Sequence, residues 1–244
     1  GTRGDLKELS RLSQHLLRLA AGDRAASNAI FLREILLGLG DGFQRRGKRL
    51  SELAGIDPAW SKLIADLVGE AARQAKDHVT PDDERVQAIQ LLGHGDAKSV
   101  RDVLVTLLDA KQPQAVQLTA IRTLAGFRQA DAPATLLATY RGATPGVRAE
   151  VINTLLSRPE WINALLDVIE AGAVAATDVP LARRNLLLRN ANAAIKERAL
   201  KLFARDAAGP REAVVKEYQA ALALAGDAGR GRKVFQRECR QCHR

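Results

Sequence analysis

RVQAIQLLG at 85–93, LTAIRTLAG at 118–126 and AEVINTLLS at 149–157 are three versions of one segment. Superposed, they bring Ile89, Ile121 and Ile152 into one register position and Leu92, Leu124 and Leu155 into another, at offsets of 32 and 31 residues. Apolar residues recur within each at three and four positions, the spacing of one helix face. Each is followed by a second apolar stretch of the same kind: VRDVLVTLLDA, APATLLATYRG and INALLDVIEAG. Each unit therefore reads as a helical hairpin. A hairpin this small cannot bury its apolar stripe alone, and stacking on its neighbours completes a continuous core. The pattern predicts an all-α fold, a right-handed α-solenoid with repeats over residues 80–208.

Start signals recur at the joints. Thr80-Pro81-Asp82-Asp83 offers an N-cap threonine, a first-turn proline and a carboxylate three residues after the cap, and Thr144-Pro145 repeats the first two features. The period is shorter than the roughly 40–47 residues of HEAT repeats, so the units are compact and HEAT-like. Before them, residues 1–79 read as a helical region. Leu6, Leu9, Leu12, Leu16 and Leu19 mark one amphipathic face that ends at Gly22, AASNAIFLREILLGLG gives a second helix, and Pro58 opens a third. A basic loop, Gln44 to Arg49, separates the last two. Trp60 and Trp161 follow prolines at helix starts and read as core anchors. After Pro180 comes a worn final repeat, then a capping or linker helix over 209–225, and a new element over 226–244.

Composition fits a folded helical chain. Of 244 residues, 46% are hydrophobic and 4% aromatic, enough for a sizeable core. No uncharged apolar run reaches the roughly 18 residues of a membrane span. The chain begins at Gly1, contains no methionine and shows no basic-then-apolar leader. It is expected to be a piece of a longer protein whose export signal lies upstream.

Both cysteines fall in Cys239-Arg240-Gln241-Cys242-His243. C-x-x-C-H is the attachment signature of c-type haem: each sulfur adds to a vinyl group, and the adjacent imidazole is delivered to the iron as proximal ligand. That chemistry places the chain outside the cytoplasm, in the periplasm or an equivalent compartment. Two other chemistries use the same residue types. A thiol–disulfide centre has its reactive cysteine at the start of a helix after a strand, whereas this pair ends a helix. A structural zinc site wants a fourth ligand at recognisable spacing, and none is found. Upstream, Asp227 is a candidate N-cap. Gly231, Phe235 and Cys239 stand four apart, one stripe of a helix running to the motif.

That layout resembles the first helix of class I cytochromes c, where glycine permits a close crossing with the last helix and the aromatic fills the contact. More widely, RNLLLRNANAAIKERALKLF, VVKEYQAALALAGDAGRGRKVF and CRQCHR resemble the haem-binding C-terminal region of large Planctomycete and Verrucomicrobium-type proteins. Those proteins join HEAT-like repeats to a c-type cytochrome domain, truncated here to its first helix. The resemblance implies covalent haem c on Cys239 and Cys242, with His243 as proximal iron ligand. It also implies redox partner proteins and, in many members, a fused upstream dehydrogenase-like propeller. A distal ligand would come from sequence beyond Arg244. His15, His78 and His94 are only formal candidates, read as residues of polar faces or loops.

The formal charge is +9. Arg45, Arg46, Lys48 and Arg49, with Arg183 and Arg184, are the candidates for a phosphate-tracking groove. Without interleaved aromatics they read as solvated helix ends, and nucleic acid is not the expected partner. Around the haem motif, Arg230, Arg232, Lys233, Arg237, Arg240 and Arg244 against Asp227 and Glu238 leave a positive surround suited to an acidic redox partner. No Ser-His-Asp set, phosphate loop or paired-carboxylate motif can be placed, so the segment is not expected to be an enzyme by itself. Two functions stand: an electron-transfer segment on a HEAT-like scaffold, and a non-redox scaffold binding protein or nucleic acid.

Overall fold

The computed structural model of the chain describes residues 6–21, 25–47, 50, 58–127, 129–207 and 211–240. Among them are thirteen α-helices and no strand. The chain divides into two compact units, Gly1–Pro180 and Leu181–Arg244. The join falls within the stretch 80–208 that periodicity groups as repeats.

The first unit opens with α1 (Leu6–Ala21), α2 (Ala25–Gln44) and α3 (Pro58–Lys76). α3 starts on the proline expected to start it and buries Trp60, Ile64, Val68, Ala71 and Ala75 at three- and four-residue spacing. The repeats follow as α4 (Asp82–Leu92) with α5 (Ala97–Thr106), α6 (Gln114–Gly126) with α7 (Ala132–Tyr140), and α8 (Pro145–Leu156) with α9 (Pro159–Glu170). α4, α6 and α8 pack side by side, with α3 laid against α4. The six residues that define the register all go into the core: Ile89, Ile121, Leu92 and Leu155 are 0% exposed, Ile152 1% and Leu124 6%. Burying each such side chain stabilises the stack by about 1.5–3 kcal/mol.

A polar position stands four residues before each register isoleucine, occupied by Arg85, Gln117 and Arg148. Arg85 is only 1% exposed. Its Nε donates to the Ala75 carbonyl at 3.0 Å, in the last turn of α3, and its Nη2 donates to Gln112 Oε1 at 2.6 Å. Gln117 is also buried and donates from Nε2 to the Gln112 carbonyl at 2.6 Å. Arg148 donates to the Arg141 carbonyl at 3.2 Å, and its guanidinium sits 5.5 Å from the centre of the Tyr140 ring. In each repeat this residue satisfies a backbone carbonyl just before its own helix, where helix ends and turns leave acceptors without partners. Side-chain ties also cross between hairpins. Arg122 grips Glu150 bidentately at 2.8 and 2.9 Å, Arg101 binds Asp131, and Arg158 reaches the Ala125 carbonyl at 2.7 Å.

Thr144 caps α8 as expected, accepting from the Val147 N–H. Thr80 does not cap α4. Its hydroxyl donates instead to the Asp77 carboxylate at 2.9 Å, and that carboxylate also accepts the Val79 N–H at 3.0 Å. The local turn consumes the threonine, and Pro81 takes the cap position without a side-chain bond. Both tryptophans are core residues, each 3% exposed.

In the second unit α10 (Leu181–Leu188) pairs with α11 (Ala193–Ala207), burying Leu187, Ile195, Ala199 and Phe203. α12 (Arg211–Tyr218) follows. The single helix expected over 209–225 tightens after Tyr218 into a 3-10 turn, Gln219–Ala223. Side chains from Val214 onward are exposed there, so no packed face holds α geometry. α13 (Ala228–Val234) then leads toward the cysteines.

Candidate functional site

Asp227 holds the extended backbone of an N-cap, and its Oδ1 accepts the Arg230 N–H at 3.0 Å. α13 thus starts where the sequence places its start. It does not run to the motif as a plain α-helix. The Arg240 N–H donates to the Phe235 carbonyl at 2.9 Å, five residues back, so Phe235–Cys239 forms one wide turn. An α-helix carries residue i+4 about 40° past residue i. A wider turn holds more residues and rotates each less, taking that drift back, so Gly231, Phe235 and Cys239 stay aligned. Turns of this kind inside helices are uncommon and concentrate at functional sites.

Phe235 is 48% exposed and Val234 49%, large apolar side chains open to contact on this short element. Cys239 is a half-buried free thiol. Cys242 and His243 lie outside the described residues, as do Gln241 and Arg244. The described part fits a tetrapyrrole in two respects: one nucleophilic sulfur stands accessible, and an open aromatic lies one turn before it on the same stripe. Among the described residues no three His, Cys, Asp or Glu converge as metal ligands.

The other histidines belong to the first unit. His15 is exposed on α1, and His78 is exposed between α3 and α4. His94 lies in the turn after α4, a loop position as expected, and is buried there, 3% exposed. Its ring packs so closely on Gly40 that a Cβ there would lie 2.3 Å from Nδ1, and its Nε2 is 3.6 Å from Asp41 Oδ1. Of the basic candidates, Arg45 and Arg46 are exposed after α2, and Lys48 and Arg49 lie outside the described residues. Arg183 is exposed, whereas Arg184 is half-buried with its guanidinium 6.0 Å from the Phe203 ring centre.

Sequence reading passed over two concave features of the first unit. One is an apolar groove of about 310 Å³ walled by Ile64, Val68, Gly69 and Ala72 of α3 and by Val100 of α5. The recurrence of Ser61, Ala65, Gly69 and Ala72 along α3 was its available signal. The other, of about 200 Å³, is polar and lies among Gln44, Gln90, His94 and Arg122.

With the stack of α4, α6 and α8 and its shared register established, comparison with protein families is direct. Residues 76–156 match HEAT repeats. The matched HEAT region runs from the end of α3 through α8 and includes all three register isoleucines. No curated protein and no solved structure matches the chain. The HEAT match concerns the scaffold. The cysteine motif lies outside it.

Proposed function

We propose that this chain is an electron-transfer segment in which a HEAT-like scaffold leads into a c-type haem attachment site. The observation that carries the reading is the C-x-x-C-H motif of Cys239, Cys242 and His243, joined to a capped element that aligns Gly231, Phe235 and Cys239. Bound haem would supply one-electron chemistry by cycling between ferric and ferrous iron. The chain's own residues have separate tasks. Cys239 and Cys242 anchor the macrocycle, His243 presents its imidazole to the iron, and Phe235 shields one edge from water. Asp227 fixes where the helix starts and thereby the direction of the stripe. The repeats continue as a right-handed solenoid and act as a spacer, with no reaction of their own. Attachment occurs outside the cytoplasm, and the electron donor is a neighbouring or fused dehydrogenase-like domain.

The test is expression with a c-type maturation system, followed by haem staining on a denaturing gel and acid-acetone extraction. Colour should stay with the polypeptide. The double variant Cys239→Ala, Cys242→Ala should lose it completely while its far-ultraviolet circular dichroism stays unchanged. Colour fully extracted from the unaltered chain would sink the proposal in favour of a scaffold without redox chemistry.

A further inference from the structure

The net positive charge of this protein resides entirely in its second unit. Residues 1–180 contain 22 Lys and Arg against 22 Asp and Glu, whereas residues 181–244 contain 15 against 6. The smaller unit thus carries the full +9. Solubility alone asks only for mixed signs over the whole surface. The segregation points to a partner, because concentrated charge of one sign steers association.

The stretch next to the cysteines, the element from Asp227 to Arg240, holds five of these cations against two carboxylates. Arg230, Arg232, Lys233, Arg237 and Arg240 are all exposed there, and the pairs of Arg230 with Asp227 and of Arg237 with Glu238 are open to solvent, weak enough for a partner's carboxylates to exchange into them. Arg230, Lys233 and Arg237 recur at three and four residues and so share one face. Gly231, Phe235 and Cys239 occupy the other. A bilayer surface selects a helix whose basic residues flank a broad apolar face. Here the aromatic lies away from the cationic row, beside the cysteine. Single-stranded nucleic acid is held by cations interleaved with a series of stacking aromatics, and Phe235 is the one aromatic of this element.

We infer that Arg230, Lys233 and Arg237 form the docking row for an acidic protein. On the reading proposed above, that protein is the redox partner, and docking on this row holds it within one short element of the attachment cysteines. Charge complementarity supplies register and association rate, with the effect weakening as salt screens it.

The experiment measures binding by the full chain of a fluorescent poly-L-glutamate peptide of about 20 residues, by anisotropy at low and physiological salt. Two charge-matched double variants are compared: Lys233→Glu with Arg237→Glu, and Lys98→Glu with Lys111→Glu on exposed sites of the first unit. The first pair should weaken binding about tenfold or more at low salt, and the second should leave it nearly unchanged. Equal weakening by both pairs would reduce the effect to net charge and overturn the docking row. Tighter capture by phosphatidylserine vesicles or duplex DNA, lost in the first pair, would overturn it in favour of a membrane or a nucleic acid. The Cys239→Ala, Cys242→Ala chain should bind poly-glutamate like the unaltered one, which separates this inference from haem attachment. A stained chain that ignores poly-glutamate refutes the docking row, and an unstained chain that binds through it refutes only the redox identity of the partner.

Discussion

Residues 1–180 and 181–244 solve opposite problems with similar helices. In the first unit apolar residues recur in register, and the fold supplies each with a partner: Ile89, Ile121 and Ile152 vanish into one stack. In the second, Phe203 is the last buried side chain among the described residues. Beyond it Val215, Tyr218, Leu222 and Phe235 remain 59%, 67%, 87% and 48% exposed. Charge follows the same division, balanced in the first and strongly positive in the second. A repeat array specifies its own neighbours, so its sequence is internally sufficient. The element carrying Cys239 keeps its apolar and cationic side chains outward, the arrangement of a region whose partners are not its own helices.

The contrast breaks first at its strongest point. Ile121→Ala empties a fully buried site in α6 and should cost about 2–5 kcal/mol in urea unfolding. Phe235→Ala, at a half-exposed site, should cost less than about 0.5 kcal/mol in the haem-free chain. Comparable losses would mean that Phe235 belongs to a packed core, and the division would fall. The next test lies within the repeats. Arg85→Ala removes a buried guanidinium and leaves the Ala75 carbonyl and Gln112 without their donor, a loss of about 3 kcal/mol. Arg148→Ala, at the half-buried equivalent position, should cost about 1 kcal/mol. Reversal of that order would show that the polar row stabilises through something other than its backbone carbonyls.

What could be read in advance follows the range of the physics. The register leucines and isoleucines were legible because helical periodicity is a local property of the chain, and the HEAT match covers the stretch where that signal is clean. The polar row was missed although Arg85, Gln117 and Arg148 stand at the same offset. A search for apolar recurrence discards polar residues, and only the packed structure shows the carbonyl each one meets. Thr80 and Thr144 precede prolines alike, yet one caps and one does not, because Asp77 lies three residues before Thr80 and takes its hydroxyl. The burial of His94 in its turn has a non-local cause that no local pattern carries: its cover is Gly40, on another helix. At the candidate site the cap and the stripe were visible from spacing. The wide turn that keeps the stripe aligned was not, since no residue pattern separates an i+5 bond from an i+4 bond.

The smallest effect sharpens the boundary between the two units. Tyr140, at the end of α7, is 5% exposed and donates its hydroxyl to the Asp178 carboxylate, in the turn just before the join at Pro180. Burial, assisted by that carboxylate, pushes the phenol well above its ordinary value. The protonated phenol is therefore the form the fold prefers. The stability it contributes is complete below about pH 10, where the unfolded tyrosine titrates, and is lost as pH rises from there through the folded value. Tyr140→Phe keeps the ring under Arg148 but removes the donor, and Asp178 can turn to water, so the cost at pH 7 should be about 1 kcal/mol. In urea unfolding followed across pH 8 to about 11, the unaltered chain should lose stability faster than the variant. Parallel curves would mean that the phenol does not hold the last turn of the first unit. The end of that unit would then rest on Val174 and Val179, buried to either side of the turn.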